Sequence, residues 1–266
     1  MNGLVCSLRK DIKEYLRRKK NIYYSITLFA IGTMVIVTTL FFPDLVGALA
    51  DKAPNMISDV NSLDEFMANL FPDNLKGSLG IWYSDVGVFY TIVIALTVHG
   101  LVTGEVKKGK WILPVASGYK KWEMLLSKVG VYATGAAFPV LIISNLYYFV
   151  AATYLENNFS FEKAFASSVV MCIAVAVIVV IIILSSILYR NSITAAVSMI
   201  LIVMVAPDVL TYFTFGKFMP TYILTFVYQM SDVYIDLVIP IVEITVICAL
   251  LMLSAMNKLR RMEIAR

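Results

Sequence analysis

The sequence predicts an all-helical integral membrane protein, and three observations carry the prediction. Apolar residues make up 60% of the 266 positions and charged residues only 15%, where a soluble domain carries about a quarter charged. Mean hydropathy is +0.82. The apolar residues gather into stretches of roughly twenty, the length at which a helix crosses a hydrocarbon core. These runs are continuous, whereas barrel strands alternate over segments of about ten residues, which argues against a transmembrane barrel.

The first twenty residues place Leu4, Leu8, Ile12, Tyr15 and Leu16 at helical spacing, with Arg9, Lys10, Lys13 and Arg17 between them. Such a helix is expected in the headgroup plane, apolar face in lipid and basic face against phosphates. It would serve either as a simple topology anchor or as a lever to the first span. That span covers about 21–42. "ALA" at 48–50 looks like a peptidase site, but the apolar run before it is too long for a signal peptide, so the segment is expected to be retained. The outer loop 43–80 is acidic, with Asp44, Asp51, Asp59, Asp64, Glu65 and Asp73. Within it Ser62 and Glu65 have capping-box spacing ahead of Phe66, Met67 and Leu70, which predicts a short amphipathic helix.

The second span, about 81–102, runs into "VTGEVKKGKWILP". Gly104 to Lys110 has the G-x-x-x-x-G-K of a P-loop, but Trp111 stands where a magnesium-binding Ser or Thr is required. An apolar membrane helix also stands where a P-loop needs a buried strand. The nucleotide motif is therefore rejected. Leu113-Pro114 is expected to break any helix arriving from Trp111. Ser117-Gly118 then gives a turn with a possible cap, and Tyr119–Lys128 a short helix, making segment 103–128 a helix–break–helix elbow.

Four more spans are expected at about 129–153, 165–188, 192–207 (short) and 236–256. The link 207–235 is apolar and aromatic yet broken by Pro207, Gly216 and Pro220, a pattern suited to paired re-entrant or interfacial helices. Lys and Arg alternate strongly between segments. The N-terminus holds seven, loop 103–128 six, the link at Arg190 one and the tail four, against two, one and one in the remaining loops. By the positive-inside rule both termini and the elbow face the cytoplasm of a multi-pass protein of the cell membrane. The net charge of +4 is thus a topology signal, and nucleic acid is not expected as a partner. Cys6, Cys172 and Cys248 form neither an extracellular pair nor a metal-spaced cluster.

The elbow is also where the chain resembles the permease subunits of ABC-2 exporters. That family places an E-x-x-x-G motif at the inner end of its second span, followed by a hydrophobic pair, a proline or serine turn and basic residues. The matching positions are Glu105, Gly109, Ile112, Leu113, Pro114, Ser117, Lys120 and Lys128. Lys110 stands where threonine is usual, and Tyr119-Lys120 where an arginine is frequent. The resemblance implies a permease that dimerises with a second copy or a paralogue and recruits two copies of a separate ABC ATPase subunit. ATP and magnesium would be bound there, with no cofactor on this chain. The elbow would be the coupling element, Trp111 and Trp122 supplying buried anchors and Glu105 pairing with a basic residue of the N-terminal helix or the partner. The family expectation puts the path at the dimer interface, lined by the second and fifth spans. The cargo would be amphipathic or hydrophobic, such as a peptide, antimicrobial or drug.

Inside the spans the ionisable residues are Asp85, His99 and Glu243, candidates for the path because such groups face an interior or a cavity. Each also has a bland reading: solvent exposure for Asp85, cross-helix pairing or outer-surface exposure for Glu243, hydrogen-bonded packing or an interface for His99. Asn145 suits an interhelical hydrogen bond. One histidine, no H-E-x-x-H and no serine elbow argue against a membrane enzyme. Two alternatives are an ion-coupled secondary transporter, for which no inverted repeat is visible, and a structural or sensory membrane module.

Overall fold

The computed structural model describes residues 3–52, 74–156, 158–189, 192–213, 216–231 and 234–261, and among these every extended element is helical. Helix α1 is Gly3–Arg17 and α2 Lys20–Lys52. Residues 75–107 comprise α3 (Leu75–Asp85), a π-helical turn (Val86–Tyr90), α4 (Thr91–Val98) and α5 (Leu101–Lys107). The short α6 (Ile112–Ala116) precedes the long α7 (Lys121–Ala151) and α8 (Phe161–Leu188). Then come α9 (Ser192–Thr211), α10 (Tyr222–Tyr228) and α11 (Val238–Arg261).

Among the described residues five stretches are long and apolar enough to cross a membrane: Lys20–Phe41, Leu75–Lys107, Lys121–Ala151, Phe161–Leu188 and Tyr234–Arg261. The remaining predicted span is shorter. Its apolar part, Ser192–Pro207, rises about 24 Å at 1.5 Å per residue, less than the roughly 30 Å of a hydrocarbon core. The α9 helix itself continues four residues past the expected end.

Other boundaries move for local reasons. The second stretch begins at Leu75 rather than 81 because Asn74, in extended conformation, caps α3 by accepting from the Gly77 amide at 2.8 Å. Pairing of the Leu75 amide with the Glu156 carbonyl, 3.0 Å, fixes that end to the link between α7 and α8. The α2 helix runs ten residues beyond the expected end of the first span. The proposed capping box at Ser62 and Glu65 lies outside the described residues.

The N-terminal helix packs on the protein by a face that its apolar pattern does not mark. Its buried residues are Ser7, Asp11 and Tyr15, while Ile12 and Leu16 remain exposed. The face turned to the protein is thus polar and aromatic, and it lies along the first turns of α7. Pro139 inside α7 explains the contact. Proline has no amide, so the carbonyl four residues earlier loses its helical donor. That carbonyl belongs to Gly135, and the Tyr15 hydroxyl donates to it at 2.8 Å. A Cβ on Gly135 would press into the Tyr15 ring, which is why a glycine stands there.

The core is aromatic. Trp82 stacks on Tyr147 with centroids 5.2 Å apart, and Tyr147 shares a 2.6 Å hydrogen bond with Ser78. Tyr24 meets Tyr90 edge-on, and the Tyr90 hydroxyl donates to the Ala136 carbonyl at 2.7 Å. Helix α10 is buried on every side from Tyr222 to Val227, so this part of the apolar link is an interior wedge, while Tyr212, Phe218 and Ile235 on either side of it are exposed. By contrast α11 is the least covered, with 11% of its apolar window buried against 56% for Phe161–Leu188.

The wedge sits tight against α3. A Cβ on Gly80 would lie 2.6 Å from the Tyr228 carbonyl oxygen, a backbone atom that cannot swing aside. Gly80→Ala is therefore expected to destabilise the fold by about 1–3 kcal/mol, as overpacking does. Thermal unfolding in detergent checks this, and an unchanged midpoint would show the wedge is loosely held.

Candidate functional site

The elbow is built by two glycine-terminated turns. At the end of α5 the Gly109 amide bonds the Val106 carbonyl and the Lys110 amide bonds the Glu105 carbonyl, both at 3.0 Å. This six-to-one and five-to-two pairing is a Schellman motif, which needs a left-handed residue after the cap. Gly109 supplies it with φ of +67°. The same pattern closes α6, where Gly118 has φ of +91° and the Tyr119 amide reaches the Pro114 carbonyl. The break therefore falls at Gly109, not at Leu113-Pro114. Pro114 lies in the first turn of α6, where a missing amide costs no helical bond. Ser117 donates back to the Leu113 carbonyl at 2.9 Å instead of capping α7, whose N-cap is Lys120.

Between these turns Trp111 folds inward and is 1% exposed. Its indole nitrogen donates to Glu105 Oε2 at 3.0 Å. The other carboxylate oxygen meets Lys128 Nζ, also at 3.0 Å. Lys128 is itself 1% exposed and holds Asp11 Oδ1 at 3.1 Å and Glu14 Oε2 at 3.7 Å. Ser127 donates to the second oxygen of Asp11. Every oxygen of the Asp11 and Glu105 carboxylates thus has a donor, the condition under which a buried ionic network rigidifies a fold. Helix α1, the end of α5, Trp111 in the turn before α6 and the start of α7 meet here.

Glu14 sits at the rim of this cluster. Burial pushes its carboxyl up, but Lys128, Arg18, Lys110 and Lys10 together outweigh that and hold it below its ordinary value of 4.5. Close by, Lys20 Nζ donates to the Thr97 carbonyl at 2.7 Å and lies 4.6 Å over the Tyr132 ring.

Of the residues that stand out in the sequence, Glu105, Gly109, Trp111 and Lys128 converge here. Glu105 pairs with Lys128 of α7 rather than with a base of the N-terminal helix, and Trp111 is buried within the chain. Asp11 and Ser127 were missed. A signal existed for the first, since Ser7, Asp11 and Tyr15 follow one another at four-residue spacing. Pro114, Ser117, Lys120 and Trp122 lie away from the cluster on the outer side of the elbow. There Leu113 is 79% exposed, with Ile112 and Trp122 about half as open. Leu113, Pro114 and Ser117 face Cys6, Ser7 and Lys10 of α1 across a groove of about 360 Å³.

The three ionisable residues within the spans are not brought together. Asp85 closes α3 just before the π-helical turn and is half-buried. His99 donates from Nδ1 to the Ala95 carbonyl one turn back, 2.9 Å away, which suits packing. Glu243 in α11 keeps Oε2 buried with no hydrogen-bond partner among the described residues. Asn145 links α7 to α8 through Ser168 at 3.3 Å. Among the described residues no three His, Cys, Asp or Glu side chains are grouped to hold a metal ion. Comparisons with protein-family models, curated proteins and solved structures return no match to this chain.

Lys128→Met should destabilise the protein by about 3–5 kcal/mol, because it strands two buried carboxylates. Adding Asp11→Asn and Glu105→Gln to that variant should recover part of the loss, as measured by denaturant unfolding. For Glu14 the depressed folded value means its stabilisation is present above pH 4.5 and disappears as pH falls through that folded value. Glu14→Gln should accordingly be less stable than wild type near neutrality, the gap closing as pH falls below 4.5 and through the depressed folded value. A gap that persists in acid would assign the effect to something other than charge.

Proposed function

We propose that this chain is the membrane-spanning permease subunit of an ATP-driven exporter, working as a dimer with two copies of a separate ATPase subunit. The observation that supports it is mechanical. Segment 103–128 is a folded elbow clamped to α1 and α7 by the buried Lys128 network, with a large apolar side chain, Leu113, left open at its tip. A slack loop would absorb a push from outside; a clamped one passes it to the membrane helices. The positive-inside pattern puts that tip in the cytoplasm, where a nucleotide-hydrolysing partner would be found. The groove between α6 and α1 is the surface such a partner would grip. ATP and magnesium belong to the partner, and this chain is not itself an enzyme.

Closure of the ATPase subunits would drive the elbows of the two permease copies and open the bundles outward in an alternating-access cycle. The substrate path would run at the dimer interface, lined by the second span and α9, with the wedge around α10 re-entrant from the outer side. The cargo would be amphipathic or hydrophobic, in keeping with the aromatic interior. An ion-coupled secondary transporter is the second reading, favoured by one observation: the unpaired buried oxygen of Glu243, since intramembrane carboxylates commonly carry protons or ions.

Co-purification separates the two. The ATP-driven reading expects an ATPase partner whose activity is stimulated by this chain. Leu113→Asp should lower its recovery at least about tenfold, the effect of losing an interface hot spot. Glu105→Gln and Gly109→Ala should uncouple its ATPase from transport. Transport by the purified chain alone on a proton gradient would replace this reading with the second, and ATP hydrolysis by the chain alone would overturn both.

A further inference from the structure

The ends of α7 and α11 enclose a second cavity, distinct from the elbow groove, of about 520 Å³. Lys120, Lys121, Trp122, Met256, Leu259 and Arg260 line it. Three of the six are cations, and no carboxylate lines it among the described residues. Lys121 is occupied in the wall, donating to the Leu259 carbonyl at 2.9 Å and so tying the two helix ends together. Lys120 and Arg260 are exposed at the mouth. The positive N-terminal end of α7 and the negative C-terminal end of α11 both border the cavity, so their dipoles offset and the side chains set its charge.

The depth of the cavity identifies what fits. The apolar run of α11 stops at Met256 and is followed by Lys258, Arg260 and Arg261, so the cavity lies where hydrocarbon gives way to headgroups. Helix α7, with 31 residues, is about 46 Å long, well beyond a hydrocarbon core of about 30 Å. Its first turn therefore projects into the same layer. Trp122, 38% exposed, is the residue type that settles at that boundary. The cavity is cationic toward water and apolar toward lipid.

We propose that this cavity is a binding site for an anionic phospholipid. The headgroup phosphate sits between Lys120 and Arg260, the glycerol passes the Trp122 indole, and the acyl chains run down over Met256 and Leu259. A zwitterionic lipid brings a choline cation to the same mouth and gains less. An acidic peptide of a partner protein would match the charge but leave the apolar floor uncovered, so lipid is the better complement. The site is independent of the transport reading: it requires only that these helix ends lie at a membrane surface.

The test uses the purified full chain in neutral detergent, titrated with short-chain phosphatidylglycerol, with short-chain phosphatidylcholine, with inorganic phosphate and with a poly-glutamate peptide. Thermal unfolding and intrinsic tryptophan fluorescence are the readouts. Saturable stabilisation by phosphatidylglycerol alone is expected. In Lys120→Gln/Arg260→Gln its midpoint should rise roughly thirtyfold, two surface cations' worth, with the melting temperature in neutral detergent unchanged. Lys107→Gln/Lys108→Gln, which removes two exposed cations outside the cavity, should titrate as wild type. The proposal is overturned if the cavity variant keeps the wild-type midpoint. It is equally overturned if inorganic phosphate or poly-glutamate reproduces the response at the same concentration, which would make the cavity a small-anion or a peptide site.

Discussion

A buried lysine shapes the basic end of this molecule. Lys128 is almost wholly removed from solvent, and a charge in that position is tolerable only with close opposite charges and a full set of hydrogen bonds. Asp11 and Glu105 provide both, and each arrives from a different part of the chain. Because the ion cannot be left unpaired, α1 must dock, α5 must end near Glu105, and Trp111 must turn inward to complete the carboxylate. The two Schellman turns at Gly109 and Gly118 are the backbone consequence, since they reverse the chain tightly enough to keep α6 beneath the cluster.

A second constraint works through an absent atom. Pro139 withholds an amide from α7, and the carbonyl left free at Gly135 becomes the acceptor for Tyr15. A helix defect in the membrane must be re-satisfied by a neighbour, and here the neighbour is the N-terminal helix. Together the two contacts hold α1 at Asp11 and again at Tyr15, one turn apart. That double fixation is what distinguishes a docked helix from one merely floating in the headgroup layer. It also leaves Ile12 and Leu16 facing outward, the positions expected to meet lipid.

Much of this was readable in advance, and the limits are physical. Long apolar runs announce membrane-length helices because burying twenty unbroken apolar residues has few other outcomes. Glu105, Gly109 and Lys128 were marked as important, and all three belong to one cluster or its supporting turn. Their partners were harder. Asp11 lies in a segment dominated by lysine and arginine, and nothing local reveals that its carboxylate is directed at a residue more than a hundred positions away. Trp111 was expected to anchor a partner because large exposed aromatics do so; only packing reveals that its indole is consumed internally. The helix breaks at Gly109 and not at Pro114, because proline disrupts an ongoing helix yet suits the first turn of a new one, and sequence alone does not say which applies.

The sequence by itself determined the class of the protein, the approximate position of each apolar helix and the asymmetry of its basic residues, all properties set by composition and local period. Tertiary structure alone decided which face of α1 is buried, which carboxylates surround Lys128, that residues 222–227 form an interior wedge, and that Lys120 and Arg260 share one cavity. The physical reason is that hydropathy and helix propensity act between neighbours in the chain. A buried charge or an orphaned carbonyl, by contrast, selects its partner by proximity in space, and that proximity exists only once the helices have packed.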